Sequence, residues 1–159
     1  ADEGRELLGS GVFASLAPVP EFTMIGRTYG FGREVDVDHW LLKRPVDHAT
    51  NPEWRWAIWY PLRRKGEFNK LGAKERMEIL KEHGTIGFQY GGAGYAGDVR
   101  LASFGLDKDD NEYTLGIMGP RLDWLSKLVE DMRPTTQTSL YMDKLGPFFV
   151  GKVLWQSGS

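Results

Sequence analysis

The chain has 159 residues, 41% hydrophobic, 13% aromatic and 26% charged, the size and composition of one globular domain with a sizeable core rather than of a disordered or collagen-like chain. A formal net charge of −2 removes the electrostatic case for bulk nucleic-acid or acidic-membrane binding, and the absence of cysteine excludes disulfides, thiolate catalysis, Cys-ligated zinc and iron–sulfur clusters. No apolar run approaches the ~18 residues of a membrane span, no signal region opens the sequence, and Ala1 is read as a processed or trimmed start.

Residues 1–53 are broken by Gly9, Gly11, Gly26, Gly30, Gly32, Pro18, Pro20, Pro45 and Pro52, and are expected to form an arm with one or two short strands, Glu21 to Tyr29 first among them. The aromatic run from Trp54 to Tyr60 predicts a buried strand that stops at Pro61. After the basic loop Arg63, Arg64 and Lys65, the helix formers from Ala73 to His83 predict a helix that loosens at Gly84 and Gly87. Its apolar stripe is read as Met77, Leu80 and Gly84, with Ile79 and His83 beside it. A glycine-rich connector, Gly91 to Gly94, leads to strands at Asp98–Phe104 and Glu112–Met118 around a Gly/Asp turn, which is a hairpin pattern. Leu122, Leu125, Leu128, Val129 and Met132 fall at helical spacing ahead of Pro134. The run from Pro147 to Trp155 closes the series as a last strand.

The order strand, helix, strand, strand, helix, strand from residue 54 to 159 predicts an α+β fold of the ferredoxin-like, split βαβ type, an antiparallel sheet with helices on one face. Its other face is left bare by this pattern, and is expected to be covered by residues 1–53, by another subunit or by a flat cofactor.

Of three histidines, His83 stands beside the apolar stripe of its helix, where an imidazole either bonds locally or points into a cavity as a ligand. His39 and His48 sit in short acidic stretches that read as solvated turns. Tyr60 precedes a concentrated positive charge at Arg63, Arg64 and Lys65, fit to clamp a carboxylate or simply to stand in solvent. The run Gly91–Gly94 lacks both the Lys-Ser/Thr of a phosphate loop and the dinucleotide spacing. Arg100 alternates with Val99 and Leu101, so it faces away from them, on a side that alternation does not identify.

Taken together, Trp59-Tyr60-Pro61 with Arg64, Lys74 through Gly87 with its Glu82-His83-Gly84, Gly105-Leu106-Asp107, Asp131-Met132-Arg133 and Pro147 through Gly151 resemble the chlorite dismutase superfamily, its coproheme decarboxylases above all. The resemblance covers about Trp54 to Trp155 and implies a dimeric α+β barrel whose 54–159 part binds haem b or coproheme. It implies that His83 ligates the iron, that Tyr60 is the tyrosine oxidised to a radical beside a propionate, that Arg64 and Arg133 lie near propionates, and that Arg100 stands at the distal position. Hydrogen peroxide or chlorite is then the oxidant, with decarboxylation, chlorite dismutation and a non-catalytic haem carrier, sensor or structural subunit as the three implied roles. A homo-oligomer or a pairing with a second chain, in the cytoplasm, is expected. Two departures stand out: Phe88 occupies a position where some decarboxylases carry a propionate-binding arginine, and the first half of the usual subunit is reduced to residues 1–53.

Overall fold

Trp56–Arg64 forms the central strand, β1, and every other strand of the five-stranded sheet is placed by it. The computed structural model describes residues 11, 24–30, 32, 34–106, 108–154 and 156. After β1 come α2 (Gly66–Lys70), α3 (Ala73–Gly92), β2 (Gly97–Ala102), β3 (Tyr113–Gly119), α4 (Leu122–Met132), α5 (Thr136–Tyr141), β4 (Met142–Leu145) and β5 (Phe149–Lys152). Ahead of it stand a π-helical turn, His39–Lys43, and α1 (Arg44–Ala49). The sheet order is β2-β3-β1-β4, with β5 also on β1, and all pairings are antiparallel. This is the ferredoxin-like, split βαβ arrangement that the element order predicts.

β1 does not stop at Pro61, as the sequence suggests, but runs through it. Proline in a central strand normally deletes a ladder hydrogen bond. Here β4 pairs with Leu62–Arg64 and β5 with Trp56–Trp59, so this edge of β1 is shared by two short strands with a gap between them. Pro61 lies opposite that gap, where its carbonyl accepts from Gly146 N–H at 2.9 Å and its nitrogen has no strand to meet.

Directly paired residues share a sheet face. Ile58 with Ile117 and Asp98, Tyr60 with Leu115 and Arg100, and Leu62 with Tyr113 and Ala102 therefore form successive rows on one face. α3 and α4 pack on these rows through Ile86, Tyr90, Leu122, Leu125, Leu128, Val129 and Met132. The opposite face, which is expected to be covered, does carry buried residues. Val99 (6% exposed), Thr114 (2%) and Met118 (5%) are buried on it, and the Trp59 ring fits over Gly116, where any side chain would collide with it at 2.7 Å.

Three local readings need correction. α3 passes Gly84 and Gly87 and ends at Gly92, because Ile79, His83, Ile86 and Tyr90, spaced at helical intervals, face inward and Ile86 and Tyr90 join the core. Gly94, at φ +73°, then turns the chain out of the helix. The stretch 39–49 is helical rather than a pair of solvated turns: His39 N–H donates to Asp36 Oδ1 at 2.8 Å, and Pro45 stands in the first turn of α1, where its missing N–H costs least. Just before Pro45 the ladder widens, with Arg44 N–H bonded to His39 O five residues back. Of the strand expected at Glu21 to Tyr29, residues 21–23 lie outside the described residues, and the remainder makes a single bridge, Arg27 with Ala102.

Candidate functional site

The register settles where Arg100 points: it shares a row with Leu115 and Tyr60, on the face that carries the helices. It is not alone there. Arg100 Nε donates to Asp98 Oδ2 at 2.9 Å, and Arg44 binds the same carboxylate through a very short contact and the Asp98 carbonyl at 3.1 Å. Both guanidiniums lie over the Trp40 ring, at 4.8 and 5.5 Å from its centroid. His48, the other half of this joint, bonds Asp98 O through Nδ1 at 2.8 Å and packs edge-on against Trp54. The arm helix is thus fastened to β2 by one shared aspartate.

Tyr60 is the deepest of the candidate residues, 7% exposed, with its ring against Phe148 at 4.7 Å. Burial, with a further push from the nearby Asp98, holds its phenol far above the ordinary tyrosine range; Arg133 pulls the other way. The phenol makes no hydrogen bond among the described residues. Arg133 closes α4 with its N–H on Glu130 O at 3.0 Å, its guanidinium lies 5.9 Å from the centroid of the same Phe148 ring, and that guanidinium makes no ion pair or hydrogen bond among the described residues. The structure therefore brings together a neutral buried phenol and an uncommitted cation.

Arg64 is differently placed. Its Nε donates to Glu112 Oε2 at 2.9 Å and its Nη2 to Tyr113 Oη at 2.8 Å, and it stacks on Phe68 at 4.5 Å. Neighbouring Arg63 pairs with Asp143 at 2.9 Å and Lys65 caps the Leu140 carbonyl, so each member of the basic loop has a partner of its own. Tyr29, whose ring lies 5.3 Å from Tyr113, is pushed up to about 12 by burial, with Arg100 and Arg64 opposing the shift.

His83 lies on the inward stripe of α3, and burial lowers its pKa from the ordinary value, which keeps the imidazole neutral. Its Nδ1 is 3.2 Å from Thr135 Oγ1, two residues beyond Arg133, while Nε2 makes no hydrogen bond among the described residues. Phe88 is 76% exposed on the outward side of the same helix. Among the described residues no three His, Cys, Asp or Glu side chains gather as a metal cluster. No described helix is long and apolar enough to cross a membrane.

The family profile of chlorite dismutase matches residues 22–154. The chain belongs to the chlorite dismutase family. Within that family it is 29% identical over 144 residues to a coproheme decarboxylase of Thermus thermophilus, covering 82% of this chain and 55% of that protein. It is 32% identical over 109 residues to a coproheme decarboxylase of Oceanobacillus iheyensis, covering 66% of this chain and 42% of that protein. A solved heme-binding protein, also from Thermus thermophilus, superposes with a TM-score of 0.56 at 32% identity, over 64% of this chain and 40% of that one. The chain thus spans about half the length of the curated relatives it matches. The family membership accounts for the order of the motifs from Trp59 to Gly151. The residues that sequence reading did not single out are Asp98, Arg44, Trp40 and Thr135, and His48, read as part of a solvated turn, is instead packed against β2. For the arm helix a signal was present, in Asp36 three residues before His39 and in the i, i+4 pair Lys43–Asp47; for Thr135 there was none.

Proposed function

We propose that the chain holds an iron tetrapyrrole, haem b or coproheme, through His83, and that it acts as a peroxide-dependent coproheme decarboxylase. The donor set fits such a group. An iron tetrapyrrole needs little more from the protein than one imidazole, and His83 would supply it, as a neutral ring with an unused Nε2. The names of the relatives, coproheme decarboxylase and heme-binding protein, support the same cofactor.

One observation carries the choice of reaction: the buried phenol of Tyr60 has no hydrogen-bond partner among the described residues, and the guanidinium of Arg133, which shares the Phe148 ring with it, has none either. That hydroxyl is left available to a ligand carboxylate. Arg133 would hold a propionate by two parallel N–H bonds, and since Phe148 lies against both side chains that carboxylate would stand near the phenol. Tyr60 keeps its proton across the neutral range, so it meets the substrate as a neutral phenol, one of the few side chains that can give up a hydrogen atom. The rows of Ile58, Leu62, Leu125 and Leu128 around it exclude water from that contact. The iron, when bound, supplies the oxidising equivalent drawn from peroxide. Arg64 and Arg100 would join a carboxylate only by exchanging Glu112 and Asp98 for it.

The test is coproheme with hydrogen peroxide, followed by mass spectrometry for lost carboxyl groups, in the wild type and in Tyr60→Phe. Wild-type turnover with no product from Tyr60→Phe, at unchanged cofactor affinity, is expected. A second reading, chlorite dismutation, draws on Arg100 lying in the row of Tyr60. Dioxygen from chlorite with coproheme left intact would decide for it, and cofactor binding with neither reaction would leave a carrier.

A further inference from the structure

We infer that Thr135 is the positioning residue of His83: it fixes the imidazole as the Nδ1–H tautomer and so leaves the lone pair on Nε2. The inference rests on His83 being the iron ligand and concerns how the chain prepares that ligand before any metal arrives.

A threonine hydroxyl has a single proton and two lone pairs. Thr135 Oγ1 lies 2.8 Å from the Met132 carbonyl, which can only accept, so the proton goes there. Towards His83 Nδ1, at 3.2 Å, Oγ1 can then only accept; Thr138 Oγ1, also at 3.2 Å, is a second acceptor for the same proton and draws it away from the imidazole as well. Nδ1 must therefore be the protonated nitrogen of the neutral ring. Free histidine side chains prefer the proton on Nε2, the atom this geometry leaves bare. The assignment of the other ring nitrogen by its hydrogen bond is the general way a protein selects a ligating tautomer.

The placement of Thr135 is itself firmly held. It is 3% exposed and stands at the N-cap of α5, with its N–H on Met132 O at 3.2 Å and its carbonyl receiving Ser139 Oγ at 2.9 Å. The adjacent residue of α3 makes a second tie: Glu82 Oε2 accepts from Thr136 N–H at 3.0 Å. Two consecutive side chains of α3 thus bind two consecutive residues at the start of α5. That pair of contacts fixes the rotation of α3 about its axis, and with it the direction of the imidazole. A merely space-filling threonine would need neither the donation to Met132 nor the contact with Nδ1.

The experiment is a long-range proton–nitrogen correlation spectrum of the full chain, labelled with nitrogen-15 histidine and free of tetrapyrrole, at about pH 8, where the ordinary imidazole is neutral. His83 of the wild type is expected as the Nδ1–H tautomer. Thr135→Val, which keeps the shape and removes the acceptor, should shift His83 towards Nε2–H, and Thr135→Ser should restore Nδ1–H. Hemin titration of the same variants should show about 10–100-fold weaker binding for Thr135→Val and near wild-type binding for Thr135→Ser. A wild-type spectrum with His83 as Nε2–H, or a Thr135→Val spectrum still showing Nδ1–H, overturns the inference. Should Thr135→Val fail to fold, the wild-type and Thr135→Ser spectra decide the matter. His83→Ala separates the two claims: unchanged hemin affinity there would remove His83 as the ligand, while the tautomer spectrum still judges Thr135.

Discussion

Replacing Glu112 by Gln tests whether Arg64 is held as a structural ion or waits as a free clamp. Arg64 and Glu112 have side chains only 11% exposed each, and the carboxylate takes both the Arg64 Nε at 2.9 Å and its backbone N–H at 3.2 Å. Removing one partner of a buried pair strands the other charge, at a cost of about 3–5 kcal/mol. Glutamine keeps an oxygen for the same two donors, which places the expected loss near the lower end, about 3 kcal/mol. For a chain of this size that corresponds to a melting temperature lower by about 6–12 °C. Asp143→Asn is the internal comparison, since the Arg63–Asp143 pair is 35% and 46% exposed and such surface pairs contribute about 0–1 kcal/mol. The assay is urea unfolding with linear extrapolation, read beside thermal melts. A Glu112→Gln variant within about 1 kcal/mol of wild type, or an Asp143→Asn variant that loses as much, would refute the reasoning.

His83→Ala should abolish or greatly weaken the Soret band in a haem titration, whereas His48→Asn should leave it in place. Burial lowers the pKa of both His48 and His83, so the unfolded chain takes up protons first: stability is complete above about pH 6.5 and falls on acidification below it. Urea midpoints measured between about pH 7.5 and 5 should show that decline, with a shallower slope in His48→Asn; an equal slope would mean that His48 contributes nothing to it. Gly97→Ala would drive a methyl into the Trp54 ring and to 2.9 Å from His48 Nδ1, and should cost about 1–3 kcal/mol by forcing the arm helix off β2; an unaltered melt would show that this joint is loose.

Much of the fold could be read from the residues because the strongest signals were also the ones that packing uses. The aromatic run at β1 and the leucine stripe of α4 both carry core residues, Ile58 and Tyr60 in one and Leu125 and Leu128 in the other. What the sequence did not reveal follows from long-range contacts that override local preference. Gly84 and Gly87 are poor helix formers, yet α3 continues through them since Ile86 and Tyr90 must reach the core. Pro45 and Pro61 read as breaks, and each is accommodated by its position, one in a first helical turn and one opposite a gap in the sheet. The candidate site shows the same division. Tyr60 and His83 were recognisable by motif, but the commitment of Arg64 to Glu112 depends on a residue dozens of positions away, and that of Arg100 to Asp98 on an aspartate shared with the distant Arg44.

The shared edge of β1 also sets an order of events as the chain folds. β2 and β3 are neighbours in sequence and can pair by closing one short turn, whereas the β1–β5 register joins Trp56 to Lys152 across most of the described chain. Pairings of such separation wait for the loop-closure entropy to be met by other contacts. The hairpin and α4 can therefore assemble early, and the outer edge of the central strand closes last. Until β4 and β5 arrive, the residues that flank Tyr60 along β1 lie on an open edge, so a ribosome-bound or truncated chain lacking them would present a sticky, strand-ready border where the finished molecule keeps a buried phenol.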